Sequence, residues 1–295
     1  MAVGYRRHRD HGLGRDPAGG LVAAIMNVQG ETAAIGKALR PRSPLKFCLL
    51  VFALSAPFWL IGAVFNLQLL PGLPLSALGA VCPLLAAMVL VHHESQRAGV
   101  VALLKRAFDF QRIPTMAWYL PMMLLMPAVS LAVYGLMRWG GSPVPAPQFH
   151  ALSTVLMFLA FFVGALGEEL GWSGYAIDPM QQRWHALPAS LVLGLVNALW
   201  HIVPLLQAQR PLVWIAWWCL YAVAARVLIV WLYNHTGKSV FAAALFHTTL
   251  NLSWMLFPVQ GSFFDVRLAA LVLSLVAVIA VVVSGQPRRA RLQPA

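Results

Sequence analysis

The chain has 295 residues, of which 60% are hydrophobic and only 10% charged, and its mean hydropathy is +0.74. A water-soluble domain carries about 25% charged residues, so this chain has too few to cover a globular surface, and it is too apolar to stay solvated as a disordered coil. Its formal charge of +12 would suit nucleic acid only if the basic residues were interleaved with a soluble fold; they lie almost entirely outside the apolar runs, where the fitting partner is anionic lipid and not nucleic acid.

In chain order, residues 1–46 read as a basic, Gly-rich tail without fixed structure, in which Met26 is an alternative start to Met1. The first apolar run begins too far from the N-terminus, and is too long, for a cleaved signal peptide. Eight apolar runs follow, at about 47–69, 75–93, 116–136, 151–175, 188–207, 212–233, 240–257 and 266–284. Each is near the roughly 20 residues that a bilayer-crossing helix needs, the seventh being short. Pro/Gly clusters separate them: Pro71-Gly72-Leu73-Pro74, Gly140 to Pro143, Asp178-Pro179 and Pro258 to Gly261. No sustained alternation argues for strands or a barrel. The expectation is an all-α polytopic membrane domain over 47–284 with about eight transmembrane helices, a core at about 151–257 and a basic C-terminal tail at 285–295.

With eight spans both termini share a side, and that side collects every Lys and Arg except Arg138, Arg210, Arg226 and Arg267. Such asymmetry places both termini in the cytoplasm, with anionic lipid at that face of a bacterial-type plasma membrane. No internal repeat is evident, which weighs against repeat-built transporters. Cys48, Cys82 and Cys219 lie inside apolar runs without metal-like spacing and read as small buried hydrophobes.

Against this background a few polar groups stand out. Glu168 and Glu169 sit side by side between Gly167 and Gly171, and a charged residue near the centre of a spanning helix costs about 2.5–3.5 kcal/mol on insertion scales. Neighbours on a helix point about 100° apart, so one acid can face a cavity while the other reaches an adjacent helix. The bland alternative is a helix end bathed by headgroup water. Asn197 and His201 in the fifth run, and His247 and Asn251 in the seventh, are each four apart and so share a helical face; alone, His201 reads as a satisfied core histidine and the seventh-run pair as an interhelical hydrogen bond. Pro204 frees backbone polarity beside His201. Counting along each span from its cytoplasmic end puts Glu168, His201, His247 and Asn251 at overlapping depths, which favours one shared site.

Glu168-Glu169 followed by Gly171-Trp172 and Gly174-Tyr175, then Trp200-His201 near Pro204, then His247 with Asn251, resembles the CPBP family of intramembrane proteases, which includes the type II CAAX prenyl proteases and bacteriocin-processing or self-immunity proteins. The resemblance covers Glu168 to Asn251. It implies a polytopic helical protein whose Glu and His activate a water for hydrolysis of a peptide bond in a membrane-associated substrate, prenylated or bacteriocin-like. Two positions depart from the pattern. Ser173 stands where the first motif usually carries Arg, and Asn197 where the second often begins with Phe. Ser173 removes a cation that would steady the second carboxylate, a loss that bears on catalysis rather than on fold. Arg226 in the sixth run either supplies that charge to Glu169 or snorkels to the cytoplasmic interface, the usual habit of a lone arginine.

The expected mechanism takes Glu168 as general base, assisted by His201, with His247 and Asn251 as donors to the oxyanion and Glu169 and Asn197 in support. Zinc stays open as a cofactor on Glu168, His201 and His247, although no His-Glu-x-x-His segment is present. Two rivals stand beside the hydrolase: a non-catalytic scaffold or immunity protein of the same fold, favoured by Ser173, and a proton-coupled transporter, disfavoured because the membrane acids cluster on one helix. Trp172 and Tyr175 read equally well as interface anchors, and Trp214, Trp217 and Trp218 as an interfacial belt and lipid face. His8, His11, His92, His93, His150, His185 and His235 read as surface or interface residues.

Overall fold

The computed structural model describes residues 42–65, 68–70 and 73–284; residues 1–41 with the Met26 question, Pro71-Gly72 and the C-terminal tail lie outside them, and Pro44 to Lys46, expected in the N-terminal tail, begin the first helix. The described chain runs α1 (Pro44–Phe65), a two-stranded antiparallel ribbon of β1 (Gln68–Leu70) and β2 (Leu73–Pro74), a tight 3₁₀ stretch Leu75–Val81, α2 (Cys82–Lys105) and α3 (Tyr119–Trp139). There follow α4 (Ala151–Gly171), a π-helical turn Trp172–Ala176, α5 (Ile177–Trp184), α6 (Ala186–Gln207), α7 (Leu212–His235), α8 (Val240–Leu256) and α9 (Val266–Ser284). Among the described residues seven helical segments are long and apolar enough to cross a membrane, and α8 is an eighth, shorter apolar helix of 17 residues. The protein is a polytopic, all-helical membrane protein.

Three boundaries differ from the sequence expectation. The first run is helical only to Phe65, and Gln68–Leu70 leaves it as β1, a strand too short to show alternation in sequence. The second run does not stop at 93: α2 bends at Gln96, which has φ 55°, and continues to Lys105. That bend falls where His92 to Arg97 replace apolar residues, so the helix turns as it leaves apolar surroundings. The fourth run continues past 175 through the π turn and α5 to Trp184.

Burial follows position in the bundle. Short α8 lies at its centre, with Val240 and every residue from Ala242 to Thr249 buried, and it packs against α3, α4 and α7. One apolar cluster joins α3, α7, α8 and α9 through Met122, Met126, Leu228, Phe246 and Leu273. A second joins α1, α2, the π turn and α6 through Phe47, Ala86, Trp172, Tyr175 and Trp200. The acids immediately precede Leu170 of the second cluster and His247 immediately follows Phe246 of the first, so the polar groups fall where the two clusters meet.

Small residues permit the close approach of α4 to α2. A Cβ at Gly171 would lie 2.5 Å from the carbonyl oxygen of Pro83 and 2.6 Å from its carbon. Gly171→Ala therefore forces two backbones apart, and we expect it to destabilise the fold by about 1–3 kcal/mol, as overpacking does. A thermal melt in detergent followed by tryptophan fluorescence checks this; an unchanged midpoint would show that the α2–α4 contact yields without cost.

At the end of the bundle where α8 begins, Asp109 organises the connections. Its carboxylate accepts from Ser239 Oγ (2.8 Å) and from the backbone N–H groups of Val240 (3.2 Å) and Phe241 (3.0 Å), satisfying donors that a helix start leaves free. Arg106 lies beside Asp109 and also donates to Gly174 O (2.9 Å), Tyr233 Oη (2.9 Å) and Lys238 O (2.7 Å). One arginine thus ties the π turn, the end of α7 and the start of α8 together.

Candidate active site

Four helices carry the site: Glu168 and Glu169 on α4, Asn197 and His201 on α6, Arg226 on α7, and His247 and Asn251 on α8. The two acids lead different lives. Glu169 is fully enclosed and holds four hydrogen bonds: Arg226 Nη1 donates to Oε1 at 2.9 Å and to Oε2 at 2.8 Å, Ser173 Oγ donates to Oε2, and His247 Nδ1–H donates to Oε1 at 2.9 Å. Glu168 is also buried, at 6% exposure, yet its carboxylate makes no hydrogen bond to any described residue and its Oε2 is shut off from the surface. A buried carboxylate oxygen without a donor is costly unless the site exists to give it a polar partner.

The imidazoles stand in order around these acids. His201 Nδ1–H donates to the backbone carbonyl of Asn197 at 2.9 Å, the i to i−4 arrangement that their shared face permits. That bond fixes the tautomer and leaves Nε2 as an acceptor. The ring is held between Trp200 and Trp218, at centroid separations of 4.6 and 4.9 Å. Trp200 is itself pinned, its Nε1–H donating to Ser55 Oγ at 2.7 Å. His247 is likewise oriented by Nδ1–H on Glu169, again with Nε2 turned to other use. Glu168 lies within electrostatic range of both imidazoles, and His247 within range of His201. Asn251, half-buried one turn beyond His247, keeps its amide free of other described side chains, and the Nδ2 of Asn197 is buried without a partner.

Several sequence expectations are corrected here. Arg226 does not snorkel: it is 1% exposed and paired with Glu169, because a carboxylate on the neighbouring helix offers a better counter-charge than a distant headgroup. Trp172 and Tyr175 are fully buried and so anchor nothing at an interface; Phe47 packs on both rings, and the Tyr175 hydroxyl donates to Glu94 at 2.5 Å. Trp218 belongs to the wall around His201 rather than to a lipid face. His235 is half-buried, its Nδ1–H donating to Trp231 O at 2.8 Å, whereas His92, His93, His150 and His185 are exposed. Ser173, read only as a missing cation, is a donor to the supporting acid. No local pattern signalled that role; its spacing of four from Glu169 on one helix was the available hint.

Zinc does not fit. Among the described residues no three His, Cys, Asp or Glu side chains are grouped so as to hold a metal ion, so Glu168, His201 and His247 do not form a ligand set and no step is routed through a metal.

What the arrangement can do chemically is hydrolysis: a carboxylate with unused acceptor capacity, an imidazole acceptor nearby and two further polar groups one helical turn apart on a neighbouring helix. The family model for type II CAAX prenyl endopeptidase, Rce1-like, matches residues 150–253, a stretch that runs from the start of α4 into the last turn of α8 and contains every candidate site residue. CAAX prenyl protease 2 of Methanococcus maripaludis is 26% identical over 236 residues, covering 72% of this chain and 83% of the relative. Glutamates, histidines and asparagine occur in the expected order within the matched region, and over that region the chain is similar to the Rce1-like type II CAAX prenyl endopeptidases.

Proposed function

We propose that the protein is an intramembrane endopeptidase that hydrolyses a peptide bond of a membrane-associated substrate, a prenylated C-terminal peptide in the first instance, with both termini and the substrate on the cytoplasmic side and anionic lipid against the basic connections there. The observation that carries the reading is the contrast between the adjacent acids: Glu169 is saturated by Arg226, Ser173 and His247, while Glu168, also buried, has a carboxylate oxygen with no donor.

In this mechanism a water donates one O–H to Glu168 and the other to His201 Nε2. Glu168 takes the first proton as the water oxygen bonds to the scissile carbonyl carbon, and the carbonyl π pair moves onto oxygen. The resulting oxyanion accepts from the Asn251 amide and from Nε2–H of His247 in its doubly protonated form, whose Nδ1–H stays on Glu169. Donors fixed in place before the charge develops stabilise it without reorganisation. Collapse re-forms the carbonyl, breaks the C–N bond and delivers the Glu168 proton to the leaving amine, so the base serves as the acid of the second step. Glu169 and Asn197 support by holding the two rings.

The ion pair between Arg226 and Glu169 supports the hydrolase over the non-catalytic scaffold, because it gives Glu169 a cation although Ser173 carries none. To test the activity, the full chain in liposomes is given a peptide ending in a farnesylated CAAX sequence and the same peptide without the isoprenoid, and fragments are weighed by mass spectrometry. The modified peptide is expected to lose a C-terminal fragment, and faster than the unmodified one, because each buried CH₂ adds about 0.8 kcal/mol to membrane partitioning. Folded protein that leaves both peptides intact would contradict the proposal.

A further inference from the structure

We propose that Arg226 is a positioning residue of the site, taking over from α7 the cation that the related motif carries at the position of Ser173 and orienting His247 through Glu169. The proposal rests on the hydrolytic reading above and deepens it.

Three observations converge. Ser173 Oγ and Arg226 Nη1 donate to the same oxygen, Glu169 Oε2, so the two positions address one point from different helices. The other oxygen, Oε1, is shared between Arg226 Nη1 and His247 Nδ1 at 2.9 Å each; a carboxylate gripped on both oxygens cannot rotate, and the imidazole bound to it inherits that orientation. Room for the arginine is built into α6, the helix of His201: a Cβ at Gly194 would lie 3.1 Å from Arg226 Cβ and 3.1 Å from Val223 Cα. The glycine lets α7 approach closely enough for Arg226 to reach across to α4. Arg226, Glu169, Ser173 and Gly194 thus form a unit joining three helices and ending on His247 of a fourth. A purely structural ion pair would hold α4 to α7 equally well, but it would have no need to share Oε1 with the imidazole.

The full chain in nanodiscs tests this with Arg226→Gln, Arg226→Lys and the relocated pair Arg226→Gln with Ser173→Arg. Two readouts are taken: kcat and KM on the farnesylated peptide, and the ¹⁵N resonances of labelled histidine, with His247 assigned through His247→Gln. Arg226→Gln is expected to lower kcat about 10- to 100-fold with KM unchanged, the usual effect of losing a group that orients a first contact, and to shift the His247 Nδ1 resonance. Arg226→Lys, which keeps the charge on a shorter stem, should recover part of both, and the relocated pair should recover at least about tenfold in kcat and return the resonance toward the original. Folded Arg226→Gln with unaltered kcat and an unaltered His247 resonance would overturn the proposal, as would a relocated pair no better than Arg226→Gln. Should that single variant not fold, the lysine variant and the relocated pair decide by the same criteria. If the unaltered protein cleaves nothing, the hydrolytic reading fails by itself, and the His247 spectra still decide whether Arg226 orients that ring.

Discussion

Glu168→Gln is expected to lower kcat/KM for the farnesylated peptide by about 10²- to 10⁴-fold, the usual contribution of a positioned general base, while leaving the bundle at least as stable as before. Glutamine keeps the shape of the side chain but cannot take a proton from water. No side-chain hydrogen bond is lost, because the Glu168 carboxylate makes none to any described residue; removing a buried charge without a donor relieves desolvation. Peptide cleavage and thermal melts on the same preparation check both halves. Turnover at the original rate would remove Glu168 from the mechanism, and a large fall in the melting midpoint would show that its carboxylate is a structural group after all.

The next residue in the chain is expected to respond in the opposite sense. Glu169→Gln strips the counter-charge from Arg226, a guanidinium 1% exposed between helices, and breaking a buried pair from one side destabilises by about 3–5 kcal/mol. Activity falls as well, since His247 loses the carboxylate that holds Nδ1–H. Replacing both partners by apolar residues of similar size, Glu169→Leu with Arg226→Met, should restore most of the stability without restoring cleavage. Unfolding by titrated SDS, with cleavage assayed in parallel, separates the two effects. A Glu169→Gln protein as stable as the parent, or a doubly apolar variant with full activity, would contradict the division of labour between the two acids.

Much of this architecture was legible in the sequence because lipid imposes simple rules. Helices must satisfy their own backbones and be long enough to cross, so apolar runs broken by Pro and Gly located nearly every helix. What escaped was set by packing. The turn after Gly171 continues as a π helix, and its Gly174 carbonyl is taken by Arg42 at 3.1 Å and Arg106 at 2.9 Å, partners far away in the chain. Trp172 and Tyr175 look like interface anchors by type, yet the long α4 to α5 segment carries them inward against Phe47. Arg226 is the clearest instance. An arginine in an apolar run is ambiguous until its neighbour is known, and its neighbour, Glu169, lies 57 residues earlier. In the same way Asn197 and His201 announced a shared face, but not that the ring would be held by the asparagine's backbone rather than by its amide.

The central claim is that Glu168 and His201 act together on one water. A double-mutant cycle in nanodiscs addresses it most directly: kcat/KM for the parent, Glu168→Gln, His201→Asn and the double variant, with the farnesylated peptide as substrate. Residues that serve one step as a unit are grossly non-additive, so the account predicts that the double variant is scarcely slower than Glu168→Gln alone. Losses that multiply, or a His201→Asn protein that cleaves at the parent rate, would contradict it.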